Sequence, residues 1–91
     1  MSSYGRTKVL TIMLETGELN ISEITRRSGL SHNATARQLE FLTKWGILAE
    51  KRFNRIRMSR VDQASPLAAA LTKFYSDWKE AEDYALPHPY N

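Results

Sequence analysis

Ile21-Ser22-Glu23-Ile24-Thr25-Arg26-Arg27-Ser28-Gly29-Leu30-Ser31-His32-Asn33-Ala34-Thr35-Ala36-Arg37-Gln38-Leu39-Glu40-Phe41-Leu42 is the stretch that decides the fold of this chain. Ser22 is a good capping residue for a short helix, and Glu23 suits the positive end of its dipole. That helix runs to about Ser28 and stops at Gly29. Leu30 fills the gap before Ser31, which can cap a second helix. Along the second helix Thr35, Leu39 and Leu42 share one face, with Gln38 and Phe41 at its margins. The opposite face carries Asn33, Ala36, Arg37, Glu40 and Lys44, and His32 sits in the first turn. Two short helices joined by a glycine turn form a helix-turn-helix.

Upstream, Val9, Leu10, Ile12, Met13 and Leu14 recur at helical spacing. They predict a helix over residues 6–15, with residues 1–5 as a loose arm and Gly17 as its terminator. Residues 18–21 read as one short extended strand. Downstream, the second helix of the motif ends at Trp45-Gly46, and Trp45 reads as a core residue. Residues 47–53 and 55–60, separated by Asn54, read as a β-hairpin. Asp62, Gln63 and Ala64 connect it to Ser65-Pro66, a capping residue followed by a first-turn proline. The last helix is expected to reach about Tyr84. Leu67, Leu71, Phe74, Trp78, Ala81 and Ala85 repeat along it in steps of four and three, a coiled-coil-like seam. One small domain has little means of covering such a stripe. Leu67, Leu71, Phe74, Trp78 and Ala81 are therefore the expected homodimer interface, flanked by Tyr75 and Tyr84. Pro87 and Pro89 close the chain.

The fold class expected is mainly α with a small β-hairpin. Residues 1–62 form the helix-turn-helix unit, and residues 63–91 the dimerising helix and tail. Ninety-one residues leave room for one small core. The sequence has no cysteine, which excludes disulfides, thiolate metal sites and cysteine nucleophiles. His32 and His88 are its two histidines and lie far apart, so neither a metal nor a cofactor is expected. Residues 1–60 hold 11 Lys or Arg against 5 Asp or Glu, whereas residues 61–91 hold 2 against 5. A basic body with an acidic end suits a polyanion partner on one side only. No run approaches the roughly 18 apolar residues of a membrane span, and the first residues lack the apolar core of a signal peptide. The expectation is a cytoplasmic protein, associated with the nucleoid, without a membrane partner. No paired acids, activated nucleophile or glycine-rich phosphate loop points to an enzyme.

From Ile21 to Leu48, with its Gly29-Leu30-Ser31 turn and its Leu39, Leu42, Trp45-Gly46-Ile47-Leu48 ending, the chain resembles winged helix-turn-helix regulators of the ArsR and MarR type. The hairpin matches their wing, and the resemblance covers roughly residues 6–60. The tail, with Pro66, Ala70-Leu71, Phe74 and Trp78, is similar to the dimerising helix of small archaeal winged-helix proteins. The thiolate motif of metal-sensing ArsR proteins is absent. The resemblance implies a homodimer that binds double-stranded DNA and regulates transcription, most simply as a repressor. Such a motif presents its second helix to the major groove. His32, Asn33, Ala36 and Arg37 are then the base-contacting candidates, Asn33 suited to adenine and Arg37 to guanine. Arg26, Arg27 and Lys44, with Lys51, Arg52, Arg55 and Arg57 of the hairpin, are candidates for phosphate contacts, joined by Arg60. Glu40 can pair with Lys44 one turn on, or accept from a cytosine amine. Two other readings of the same residues are an architectural, nucleoid or plasmid-partition protein that coats DNA, and a winged helix that binds protein.

Overall fold

A computed structural model describes residues 2–85. The elements run α1 (Ser2–Thr16), β1 (Glu18–Asn20), α2 (Ile21–Ser28), α3 (His32–Lys44), β2 (Leu48–Phe53), β3 (Ile56–Val61) and α4 (Pro66–Ala85). The expected order of elements is observed. Pro87, His88 and Pro89 lie outside the described residues.

The expected loose arm is instead the first turn of α1, from Ser2 onward. Burial supplies the reason. Gly5 is buried where the α2–α3 turn crosses α1, and a Cβ there would lie 3.3 Å from a Leu30 methyl. Glycine thus permits the approach of α1 to the helix-turn-helix. Gly17, with φ +84°, then ends α1, its N–H donating to the Met13 carbonyl at 2.7 Å.

The cap of α2 also differs from expectation. Asn20, not Ser22, holds the N-cap, and its side-chain oxygen accepts from the Glu23 N–H at 2.8 Å. Asn20 is the last residue of β1, so one residue both closes the strand and opens the helix. Asn20→Ala should therefore lower unfolding free energy by ~1 kcal/mol. Ser22→Ala should leave it within a few tenths, and chemical denaturation of both variants checks this. Gly29 ends α2 in the left-handed region, and Ser31 caps α3 as expected, accepting from the Ala34 N–H at 3.1 Å. The turn between them is tied internally, because Ser28 Oγ accepts from the Leu30 N–H at 3.2 Å.

Val9 and Met13 of α1, Ile24 of α2 and Leu39 and Leu42 of α3 are buried with Ile47, Leu48, Val61 and Ala68. The Thr35 hydroxyl, fully buried, donates to the Ser31 carbonyl. No buried side-chain polar atom among the described residues is left without a partner. The sheet has the order β1-β3-β2 and is antiparallel throughout. Leu48 opposite Val61 carries the inward end of the hairpin into the core. The hairpin turns at Asn54 and Arg55, Asn54 with φ 58°, a conformation asparagine tolerates better than most residues.

α4 divides its faces. Ser65 caps it, accepting from the Ala68 N–H at 3.2 Å. Ala68 is fully buried and Leu71 is half-buried against the core. Leu71 therefore serves the body of its own chain. Tyr75, expected beside a partner, lies against α1. Partial burial, and then the Glu15 carboxylate, push its phenol up to about 12. Leu67, Phe74 and Trp78 stay exposed, the last two 62% and 54% so, with their rings 6.0 Å apart. Ala81 is exposed on the same stripe, and Tyr84 is exposed beyond it.

Candidate nucleic-acid interface

The inward residues of α3 fix what it shows outward. Thr35, Gln38, Leu39 and Leu42 are buried against α1 and α2. One helix face away, Asn33, Ala36, Arg37 and Glu40 line a shallow depression open to solvent. His32 starts the helix and Lys44 ends it, both exposed. The structure thus places His32, Asn33, Ala36, Arg37 and Lys44 along one uncovered face. Arg37 and Lys44 form no ion pair among the described residues, and no salt bridge joins Glu40 to Lys44. The Glu40 carboxylate instead faces the wing across a shared groove, where Glu50 first and then Glu40 raise the pKa of Arg57.

The hairpin stands beside this face. Ala36, Glu40 and Lys44 of α3 and Glu50, Arg57 and Ser59 of the sheet line one groove of about 400 Å³. Side chains alternate across a strand, so Arg52 shares the α3-facing side with Glu50 and Arg57. Lys51, Phe53, Ile56 and Met58 belong to the other side. Arg55 is in the turn itself, not in a strand as expected.

Three of the expected phosphate-contacting arginines are held by carboxylates. Arg57 is bound to Glu50 through two hydrogen bonds, 2.9 and 3.2 Å long. The pair holds Glu50 below the usual carboxylate range, Arg57 acting first and Arg52 adding to it. Arg26 and Arg27 both reach back to Glu23 within α2. Those bonds, Arg26 first, bring Glu23 from 4.5 to about 2. A carboxylate with a lowered folded pKa adds stability above its unfolded pKa and loses it as pH falls toward the folded value. The Glu23 clip is therefore intact from neutrality down to about pH 4 and is lost as pH approaches 2. Arg27 also lines a groove with Thr7, Thr11 and Glu15 of α1, apart from the outward face of α3. Lys44, Lys51, Arg52 and Arg55 carry no such bond among the described residues. Surface pairs of this kind contribute little to stability, but they set which cations are free to meet an anion. Glu50→Gln should release Arg57. We expect a log–log salt slope for duplex binding steeper by about one or two per dimer, and tighter binding to every sequence. An unchanged slope in anisotropy titrations would show that Arg57 already reaches phosphate.

Sequence reasoning missed Arg6. Its Nε donates to Gln38 Oε1 at 3.1 Å, and its guanidinium lies 3.5 Å from the centre of the Phe41 ring. This cation–π contact locks α1 to α3 from the side opposite the wing. The signal was present: Arg6 stands one turn before Val9 and Leu10, on the inward side of the first helix. Phe41 in turn packs on Trp45, with ring centres 6.0 Å apart. Trp45 is exposed and is not the core residue expected, because α3 ends there and Ile47 takes the core position instead.

No group of three or more metal-ligating side chains occurs among the described residues, and no described helix is long and apolar enough to cross a membrane. No family model and no curated protein matches the sequence. Solved structures do match its shape. A MarR family transcriptional regulator from Silicibacter pomeroyi DSS-3 superimposes with a TM-score of 0.68 at 16% identity, over 91% of this chain and 58% of that one. The chain thus spans little more than half of that regulator. A homodimeric winged helix-turn-helix DNA-binding domain from Mycobacterium bovis, described as possibly of the ArsR family, gives 0.67 at 19% identity, over 92% and 77%. HlyU from Vibrio cholerae gives 0.68 at 20% identity, over 81% and 77%. With three helices, a three-stranded wing sheet and a trailing helix in this order, the chain has the winged helix-turn-helix fold.

Proposed function

We propose that this chain binds double-stranded DNA as a homodimer and regulates transcription, most simply as a repressor that occupies its site and blocks polymerase. The observation that carries the reading is the uncovered polar face of α3, set beside a hairpin with five cations and one carboxylate. α3 enters the major groove by its N-terminal half, and His32, Asn33, Ala36 and Arg37 meet base edges. Lys44, Lys51, Arg52 and Arg55 meet phosphates, whereas Arg26, Arg27 and Arg57 reach them only where Glu23 or Glu50 lets go. Leu67, Phe74, Trp78 and Ala81 of α4 form the two-fold contact, while Leu71 supports the helix from beneath. Residues 1–62 read DNA and residues 63–91 pair the chains. The regulator works in the cytoplasm at the nucleoid, without catalysis, metal or cofactor. The homodimeric Mycobacterium bovis domain supports the assembly by its fold.

Titrating a fluorescent duplex over a range of salt tests the reading. With about six to eight phosphates neutralised per dimer, the log–log slope should be about −5 to −7. A protein that leaves duplex DNA unbound at low salt ends the proposal.

A further inference from the structure

The tip of the wing carries two large apolar side chains that nothing among the described residues covers. Phe53 and Ile56 are the last cross-strand pair of the hairpin, directly opposite each other, and are 63% and 53% exposed. Directly paired strand residues share one sheet face, so the two form a single apolar edge with Met58 behind it. The two-residue turn at Asn54 and Arg55 needs neither side chain for its geometry. The core ends well inboard, at Leu48 and Val61. As a cross-strand pair they add only a little to the stability of the hairpin, which leaves their apolar surface, more than half of it exposed, unexplained.

Their surroundings indicate the occupant. Lys51 precedes the pair, Arg52 and Arg57 sit opposite each other one step inboard, and Arg55 is in the turn between them. The one carboxylate of the hairpin, Glu50, lies on the other face and is taken by Arg57. An apolar protein partner would have to bury this ring of charge unpaired, which is costly. A polyanion with an apolar interior seats both parts. Duplex DNA supplies phosphates at the groove walls and sugar and base faces between them.

We infer that Phe53 and Ile56 form an apolar wedge that enters the minor groove beside the α3 site and opens a base step there, bending the duplex. The inference rests on the proposed DNA binding and adds to it a second, shape-dependent form of recognition. Apolar side chains that enter the minor groove unstack a step and kink DNA toward the major groove. Pyrimidine–purine steps yield most readily. The chain would thus favour sites with such a step under each wing, at positions where no side chain hydrogen-bonds a base.

Three variants separate this from a purely ionic wing. F53A with I56A removes the wedge, F53L with native Ile56 keeps apolar bulk, and R55A removes one cation. All three positions are exposed, and circular dichroism verifies the fold of each. Binding is read by anisotropy over a salt series and bending by energy transfer between dyes at the two ends of the duplex. The double alanine variant should bind about tenfold or more weakly, with an unchanged salt slope and a straighter duplex. F53L should restore most of both, and R55A should lower the slope while keeping the bend. If wild type binds DNA without bending it, or the double alanine variant binds and bends as wild type does, the wedge is refuted while DNA binding stands. The second outcome would leave the tip for a protein partner. If wild type binds no duplex at any salt, both proposals fall.

Discussion

On the proposed function, Trp78→Asp should yield monomers and weaken binding to a palindromic duplex by about a hundredfold or more. The Trp78 and Phe74 rings lie against each other, tilted, on the exposed stripe of α4. The opposite side of the helix is already spent on the chain's own core through Ala68 and Leu71. An aspartate at the centre of the proposed apolar two-fold contact would be desolvated in each chain without a cationic partner, a loss that packing cannot offset. The fold itself should persist, because the Trp78 side chain is not part of the buried cluster. Sedimentation equilibrium should show the mass of the variant at half that of wild type, and the circular dichroism spectrum should be retained. Without the proposed linkage, each α3 would meet its half-site alone and the gain from effective concentration would disappear. A variant of unchanged mass would remove α4 as the dimer contact.

Arg37→Ala should be the most damaging change on the outward face of α3. Arg37 is exposed at the middle of the outward side of α3 and is free of any ion pair among the described residues. A bidentate arginine–guanine contact is worth roughly 1–3 kcal/mol of discrimination, and a dimer makes it twice. Specific affinity should fall roughly a hundredfold while binding to unrelated duplex changes little. Lys44→Ala, by contrast, should weaken both kinds of binding alike and flatten the salt slope by about two per dimer. Competition titrations with specific and random duplexes distinguish the two. Equal losses for Arg37→Ala would reassign it to the phosphates.

Much of this is legible in the sequence, because the strongest signals are local. Gly17, Gly29 and Gly46 mark element ends by positive φ, and Ser31 caps the helix its sequence announces. The period of Thr35, Leu39 and Leu42 fixed the inward face of α3, and with it the outward one. What escaped the sequence was tertiary. The first turn of α1 has little apolar content and is held by Leu30 and Gln38, residues far along the chain. Asn20 and Ser22 are both competent caps, and pairing of β1 with β3 settles between them by ending the strand at Asn20. Cation density on the wing was plain, but which cations are free depends on a diagonal Glu50–Arg57 pairing across strands and on the Glu23 clip within α2. Leu71 and Phe74 have the same sequence signature, and only the docking angle of α4 separates core from surface.

The proposed regulation depends most on α3 reading bases from the major groove. Selection of bound duplexes from a random pool, followed by guanine N7 methylation interference on the selected site, tests that directly. The predicted result is a pseudo-palindrome whose half-site centres lie about one helical turn, or a multiple of it, apart. Methylation should block binding at a guanine in each half-site, and Arg37→Ala should abolish that sensitivity. Uniform recovery of the pool, with methylated and unmethylated duplexes bound alike, would contradict it.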